Sequence, residues 1–212
     1  MDMSQPIGTV VPTLDGPVLA VLARTSQPLT GRKVHQFAGS GSETGTRNVL
    51  RRLARTGLIT ATEVGASVQY ALNREHLAAR AVLELTSLRQ RLFDRIRDAI
   101  EHWPVKPTHA SIFGSTARGD GDLDSDVDLL LVHGFTDDPP LAWDEEAGEL
   151  AIQVYVWTGN HVQIYELSES DLAEHLQAGE PIVDEWARDA VTVYGPDFRS
   201  VRSRIAGDVI PR

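Results

Sequence analysis

No cysteine occurs in the 212 residues. That excludes disulfides, thiolate zinc sites and a cysteine nucleophile. Long apolar runs are missing too: the longest, at 18–23, has six residues, against the ~20 that a membrane-spanning helix needs. Met1-Asp2-Met3 puts no basic stretch ahead of an apolar segment, so no signal peptide is expected. The seven histidines are scattered and form no HExxH, and neither GxSxG nor GxxxxGK occurs. After Gly39-x-Gly41, Gly45 comes one residue too late for a dinucleotide fingerprint. What remains is expected to be a soluble, cytoplasmic α+β protein without membrane contact, built as one large or two small domains.

Charge is present but unevenly placed. Residues 1–103 hold 13 Lys+Arg and 9 Asp+Glu, a net of +4, whereas residues 104–212 hold 7 and 21, a net of −14. Such a split points to two units with different partners.

The basic half has the punctuation of a small DNA-binding module. A short helix is expected over residues 15–23 from Val18, Leu19, Val21 and Leu22. Thr30 can cap a second helix carrying Val34 and Phe37, and Ser42 or Thr44 a third carrying Val49, Leu50 and Leu53. Gly57 suits the left-handed position that ends the third helix. Two strand-like stretches follow at 58–64 and 68–72 with Gly65-Ala66 between them, which predicts a hairpin. Helix, helix, turn, helix, hairpin is the order of a winged helix-turn-helix, expected over residues 12–73. On the third helix Arg47, Arg51 and Arg55 share one face, with Thr46, Asn48 and Arg52 beside them. Alone this face could be merely solvated; in its context it predicts contact with double-stranded DNA through phosphates and guanine edges. The hairpin tip, residues 63–67, holds no Lys or Arg, so the wing itself would grip phosphate poorly.

Residues 74–103 read as one amphipathic connecting helix. Leu77, Ala81, Leu85, Leu88, Leu92, Ile96, Ala99 and Trp103 step by three or four. Its apolar face would pack on the next domain or on a second copy in a homodimer, and both stay open. Pro104 and Pro107 stop the helix and open a second domain over residues 104–198. There, a buried strand ending in Ile112-Phe113 runs into Gly114-Ser115-Thr116-Ala117-Arg118-Gly119. An acidic loop follows, then Asp126-Val127-Asp128 and an apolar strand. On a strand, residues i and i+2 face the same way. Asp126 and Asp128 therefore project together as oxygen ligands for a hard cation such as Mg²⁺. Gly114 and Ser115, where strand gives way to helix, offer backbone N–H groups to an anion, and Arg118 can add a charge-assisted contact. A phosphate cradle beside paired metal ligands suits nucleotidyl or phosphoryl transfer.

These residues resemble the motif of the minimal nucleotidyltransferases of the DNA polymerase β-like superfamily. The resemblance implies a small mixed β-sheet flanked by helices. It implies that Gly114 and Ser115 bind the triphosphate of an NTP, usually ATP, and that Asp126 and Asp128 are catalytic and hold Mg²⁺. Transfer of a nucleoside monophosphate to a hydroxyl on a protein, a small molecule or an RNA end would follow. Some relatives act as antitoxins that modify a partner toxin. The family also carries a third carboxylate on a later strand. In the candidate strand, residues 161–166, that place falls on Gln163, and Glu166 should face the other way. An amide is a poor base and a weak Mg²⁺ ligand, so a nucleotide-sensing regulator without turnover is the alternative. Further helices are expected over 144–156, 168–177 (opened by a Ser168-x-x-Asp171 capping box) and 182–190. A closing strand is expected over 191–194, then a basic tail without clear period over 199–212.

Overall fold

The computed structural model describes residues 1–209. They divide into two compact units: Gln5–Arg89, and Met1–Ser4 together with the chain from Gln90 onward.

The first unit begins with a 3₁₀ turn at Pro6–Thr9 and helix α1 (Asp15–Ala23). A two-residue strand β1 (Leu29–Thr30) leads into α2 (Gly31–Ala38), and α3 (Glu43–Arg55) follows. Thr30 caps α2 by accepting from the Lys33 N–H, and Gly39, with φ 63°, ends it. Ser42, not Thr44, caps α3, accepting from the Gly45 N–H at 3.0 Å. Strands β2 (Ile59–Val64) and β3 (Ser67–Leu72) form the expected hairpin. In its two-residue turn only Gly65 takes a positive φ, 59°, which is the type II′ pattern whose twist matches the strands. The sheet is antiparallel with order β1-β3-β2. Val18, Leu22, Val34, Leu50, Ile59 and Leu72 are among its core residues.

The expected single helix over 74–103 is two helices, α4 (Ala79–Thr86) and α5 (Leu88–Glu101). Two local competitions explain the difference. Asn73 accepts from the Glu75 N–H and His76 from the Ala78 N–H, which winds 73–78 into turns and leaves Leu77 98% exposed. Thr86 and Ser87 then donate back to the carbonyls of Leu83 and Glu84, so side chains take over bonds that a continuing helix would make. Ile96, Ile100 and Trp103 sit in the core of the second unit, so the apolar face of α5 packs on the domain that follows it, one of the two expected alternatives.

In the second unit, β4 (His109–Phe113) is followed by α6 (Gly114–Arg118), β5 (Val127–His133), α7 (Leu141–Thr158) and β6 (Val162–Ser168). Then come α8 (Glu169–Ala178), α9 (Pro181–Asp189), β7 (Val191–Tyr194) and α10 (Phe198–Val209). The capping box at Ser168 and Asp171 forms in full. The sheet is mixed and flanked by helices, with order β6-β5-β4-β7; β5 and β6 run parallel and the other pairs antiparallel. Alternation along the strands gives each face its own core. Ala110, Ile112, Val127, Leu129 and Leu131 pack with Ile96 and Ile100 of α5 and with Trp143 and Leu150 of α7. Leu130, Val132 and Leu167 pack on the other face with residues of α8, α9 and α10.

The basic tail expected to lack a clear period is helix α10 as far as residue 209; residues 210–212 lie outside the described residues. Its period is short but real: Phe198, Val201 and Ile205 are buried, and Asp197 accepts from the Ser200 N–H at 3.0 Å and so caps the start. The three apolar positions are hidden in sequence among Arg199, Arg202 and Arg204. Ile205→Ala should therefore cost about 2–5 kcal/mol, as for any buried isoleucine, measured by urea unfolding. A loss below about 0.5 kcal/mol, typical of surface positions, would contradict the docking of α10.

Candidate active site

The site is built where β4 stops. Gly114 adopts φ 65°, a left-handed conformation that side chains with a Cβ rarely take. Space demands glycine as well, because a Cβ at Gly114 would land on the Asp128 carboxylate. The backbone of Gly114 thus lies directly against that carboxylate. Phe113, at the N-cap of α6, supplies no side-chain cap, so no side chain competes for the first-turn N–H groups that a phosphate would use. Gly119, with φ 80°, closes α6. The N–H groups of Gly119, Asp120 and Gly121 converge on the Ser115 carbonyl at 2.9, 3.1 and 3.3 Å, folding the acidic loop back over the short helix.

Asp126 lies one residue ahead of β5, and Asp128 is its second residue. Asp128 pairs with Phe113 on β4 and with Gln163 on β6, so one row across the sheet reads Phe113, Asp128, Gln163. Paired positions on adjacent strands project to one face. Gln163 is thereby beside Asp128, where the sequence placed it. Glu166 belongs to the opposite face, as its spacing implied. There it accepts from the Trp143 indole N–H at 2.9 Å and faces the His133 Nε2 at 3.3 Å.

Burial holds the Asp128 pKa above the usual carboxylate range, the neighbouring Asp126 charge raises it further, and Arg118 opposes both. Asp126 is exposed and Asp128 half-buried. Two carboxylates that repel each other, one partly desolvated, form a donor set that a divalent cation would relieve. The chemistry of these two side chains, paired oxygen donors, is compatible with a hard cation such as Mg²⁺. Among the described residues no group of three or more His, Asp or Glu stands together as a metal-ligand cluster.

Arg118 is turned to carboxylates: it donates to Asp120 at 3.2 Å and to Asp189, at the end of α9, at 3.5 Å. Asp189 also accepts two bonds from Arg188, at 2.9 and 3.0 Å. Sequence reading missed Asp189, because it lies 71 residues from Arg118 in a segment without a motif. It missed Thr116 as well, which is fully buried and donates to the Asp126 carbonyl at 3.3 Å. Thr116 thus ties α6 to the start of β5.

On α3, in the other unit, Arg47, Asn48, Arg51, Arg52 and Arg55 are exposed. Arg47 pairs with Glu43, Arg51 bonds Asn48 and Arg52 pairs with Asp15. Thr46 differs from its expected outward placement. It is buried, with its hydroxyl 3.2 Å from His35 Nδ1, because position 46 falls on the core-facing stripe with Leu50 and Leu53.

With this geometry in hand, comparison with known proteins adds a class. Residues 94–178 match the family described as nucleotidyltransferase domain, a stretch that runs from α5 to the end of α8 and contains Gly114, Ser115, Asp126, Asp128 and Gln163. That match gives the region a nucleotidyltransferase domain and, at the level of the family, a transferase activity. No curated protein matches the chain. Among solved structures it is similar to a toxin–antitoxin structure with AMP-PNP, at 15% identity and a TM-score of 0.39, covering 55% of this chain and 85% of that one. It is also similar to a mutant toxin–antitoxin MntA–HpeT structure, at 13% identity and a TM-score of 0.38, covering 55% and 84%. No helix among the described residues is long and apolar enough to cross a membrane.

The raised pKa of Asp128, due first to burial and then to the Asp126 charge, has a consequence for stability. A carboxylate with a raised folded pKa carries no penalty below its unfolded value, about 3.9, and the full penalty once pH passes the folded one. Asp128→Asn removes it. In EDTA the Tm of Asp128→Asn should sit close to wild type near about pH 4 and rise above it progressively toward about pH 7. A constant or narrowing difference would show that Asp128 is not strained in the unliganded protein.

Proposed function

We propose that the C-terminal unit transfers a nucleoside monophosphate from an NTP, with ATP as the preferred donor, to a hydroxyl acceptor. The observation that supports this is the close approach of the Gly114 backbone to the Asp128 carboxylate; on this reading the turn would accept an anion and the carboxylate would hold a metal ion. Gly114 and Ser115 would receive the phosphates through backbone N–H groups. Arg118, poised between Asp120 and Asp189, would exchange a carboxylate for a phosphate oxygen. Asp126 and Asp128 would hold Mg²⁺, which when bound neutralises phosphate charge and fixes its orientation. The acceptor oxygen would form a bond to the α-phosphorus as the bond to pyrophosphate breaks, and the acceptor proton would leave to solvent or to a free carboxylate. The surplus of acid in residues 104–212 favours a small molecule or a protein over a long nucleic acid as acceptor.

A second reading has an observation in its favour. Gln163 stands in register with Asp128, and Glu166 is engaged on the other face by Trp143 and His133. The row therefore lacks a third carboxylate to accept the hydroxyl proton. On this reading the unit binds nucleotide with little or no turnover and serves as a sensor.

Both readings share a DNA-binding role for the first unit, as a winged helix-turn-helix. The exposed face of α3 with Arg47, Arg51 and Arg55 supports it, with Asn48 and Arg52 alongside. The unit would then link nucleotide state to transcription.

Turnover separates the two readings. With α-labelled ATP, Mg²⁺ and lysate as acceptor source, wild type should yield pyrophosphate and a labelled acceptor. Asp126→Ala should abolish the label, and Gln163→Asp should raise the rate by about 10²-fold, the scale of one positioned general base. Label that survives Asp126→Ala would be a contaminant's and would leave the sensor. For the first unit, Arg47→Ala and Arg51→Ala should each weaken binding to the DNA upstream of the protein's own gene. Each should lower the salt slope by about one for every phosphate that is no longer neutralised. Unchanged binding and slope in both variants would remove α3 from the interface.

A further inference from the structure

The loop between Gly119 and Asp126 carries Asp120, Asp122 and Asp124, three like charges that push it open. Its internal bonds curl it on itself: Asp122 accepts from the Asp124 N–H at 3.1 Å and from the Ser125 hydroxyl at 2.8 Å, and Ser125 accepts from the Asp122 N–H at 2.9 Å. These bonds shape the loop without fixing it to the unit. Its first half is fixed by the Ser115 carbonyl, as described above, and by the Ser4 N–H, which donates to the Gly121 carbonyl at 3.0 Å. Its second half, which leads into Asp126, is held by a residue from elsewhere in the chain.

That residue is Asn160, between α7 and β6. It is 3% exposed. Its Nδ2 donates to the Ser125 carbonyl at 2.9 Å and to the Leu123 carbonyl at 3.4 Å. Its Oδ1 accepts from the Met1 nitrogen at 2.6 Å, and its own N–H donates to the Thr158 hydroxyl at 3.1 Å. Next to it, the His161 carbonyl accepts from the Val127 N–H at 2.8 Å. A carboxamide has two N–H donors and one carbonyl, and here both donors go to the loop carbonyls on either side of Asp124. The turn entering β6 thereby fixes the backbone on both sides of Asp126, at Ser125 and at Val127.

We propose that Asn160 is a positioning residue for the metal–nucleotide site: its carboxamide sets where Asp126 stands relative to Asp128. This rests on the Mg²⁺–NTP reading of the site. Buried groups that orient metal ligands typically govern affinity by about 10- to 100-fold. Aspartate has the shape of asparagine but no donor in its ionised form, so it would oppose two carbonyls with a carboxylate. Asn160→Ser keeps one short donor and serves if Asn160→Asp folds poorly.

The test is calorimetric titration of ATP into the full chain, with and without Mg²⁺, for wild type, Asn160→Asp and Asn160→Ser. Hydrogen exchange of residues 122–126 is read in parallel. Wild type should bind ATP more tightly with Mg²⁺. The variants should lose that gain by about 10- to 100-fold and keep the Mg²⁺-free affinity, which a general loss of structure would not spare. Exchange should quicken at 122–126 and stay unchanged in β4 and β5. A wild type that shows the Mg²⁺ gain and variants that retain it would overturn the assignment of Asn160 alone. A wild type without any Mg²⁺ gain would instead bring down the nucleotide reading, and this proposal with it.

Discussion

At the mouth of β5, burial and, after it, the charge of neighbouring Asp126 make ionisation of Asp128 costly, and the backbone that carries both residues is anchored. Asp128 is fixed by its place in the strand, with Phe113 and Gln163 in the rows beside it. Asp126 is held through its main chain by Thr116 and through its neighbour Ser125 by Asn160. Arg118 offsets part of that cost from outside the pair, while being itself divided between Asp120 and Asp189.

The rest of the unit can be understood as the support for that pair. On the sheet face that carries Asp128, Leu130, Val132 and Leu167 are covered by α8, α9 and α10, and the buried His109 and Ser111 bond to each other. Asp128 itself sits at the start of the strand. The opposite face is closed by α5 and α7, and Glu166 is used there as a partner for Trp143 and His133. Glu166, the acid within β6, is thus committed to structure, and Gln163 is left beside Asp128.

Much of this was legible in the sequence where signals are local. The alternation of Val127 to Val132, the caps at Thr30, Ser42 and Ser168, and the glycines at 57, 65 and 114 each act within a few residues, and the elements they imply are present. The opposed orientations of Gln163 and Glu166 followed from strand period alone. Three things were not legible. The break between α4 and α5 comes from the Thr86 and Ser87 side chains competing for backbone carbonyls, and a heptad-like run of leucines masked it. Helix α10 has only three apolar anchors among arginines. The partners Asp189 and Asn160 meet the site through contacts 71 and 35 residues away in sequence, a distance at which spacing carries no information.

The claim on which everything else turns is that Gly114 and the Asp126–Asp128 pair form a single metal–nucleotide site. The most direct measurement is paramagnetic broadening of amide signals in the ¹⁵N-labelled chain by Mn²⁺, a stand-in for Mg²⁺, with a non-hydrolysable ATP analogue present. The account predicts that Gly114, Ser115, Val127, Asp128 and Gln163 broaden first and together, and that Asp126→Asn with Asp128→Asn abolishes the effect. Broadening centred instead on Asp120, Asp122 and Asp124, or unchanged in the double variant, would contradict it.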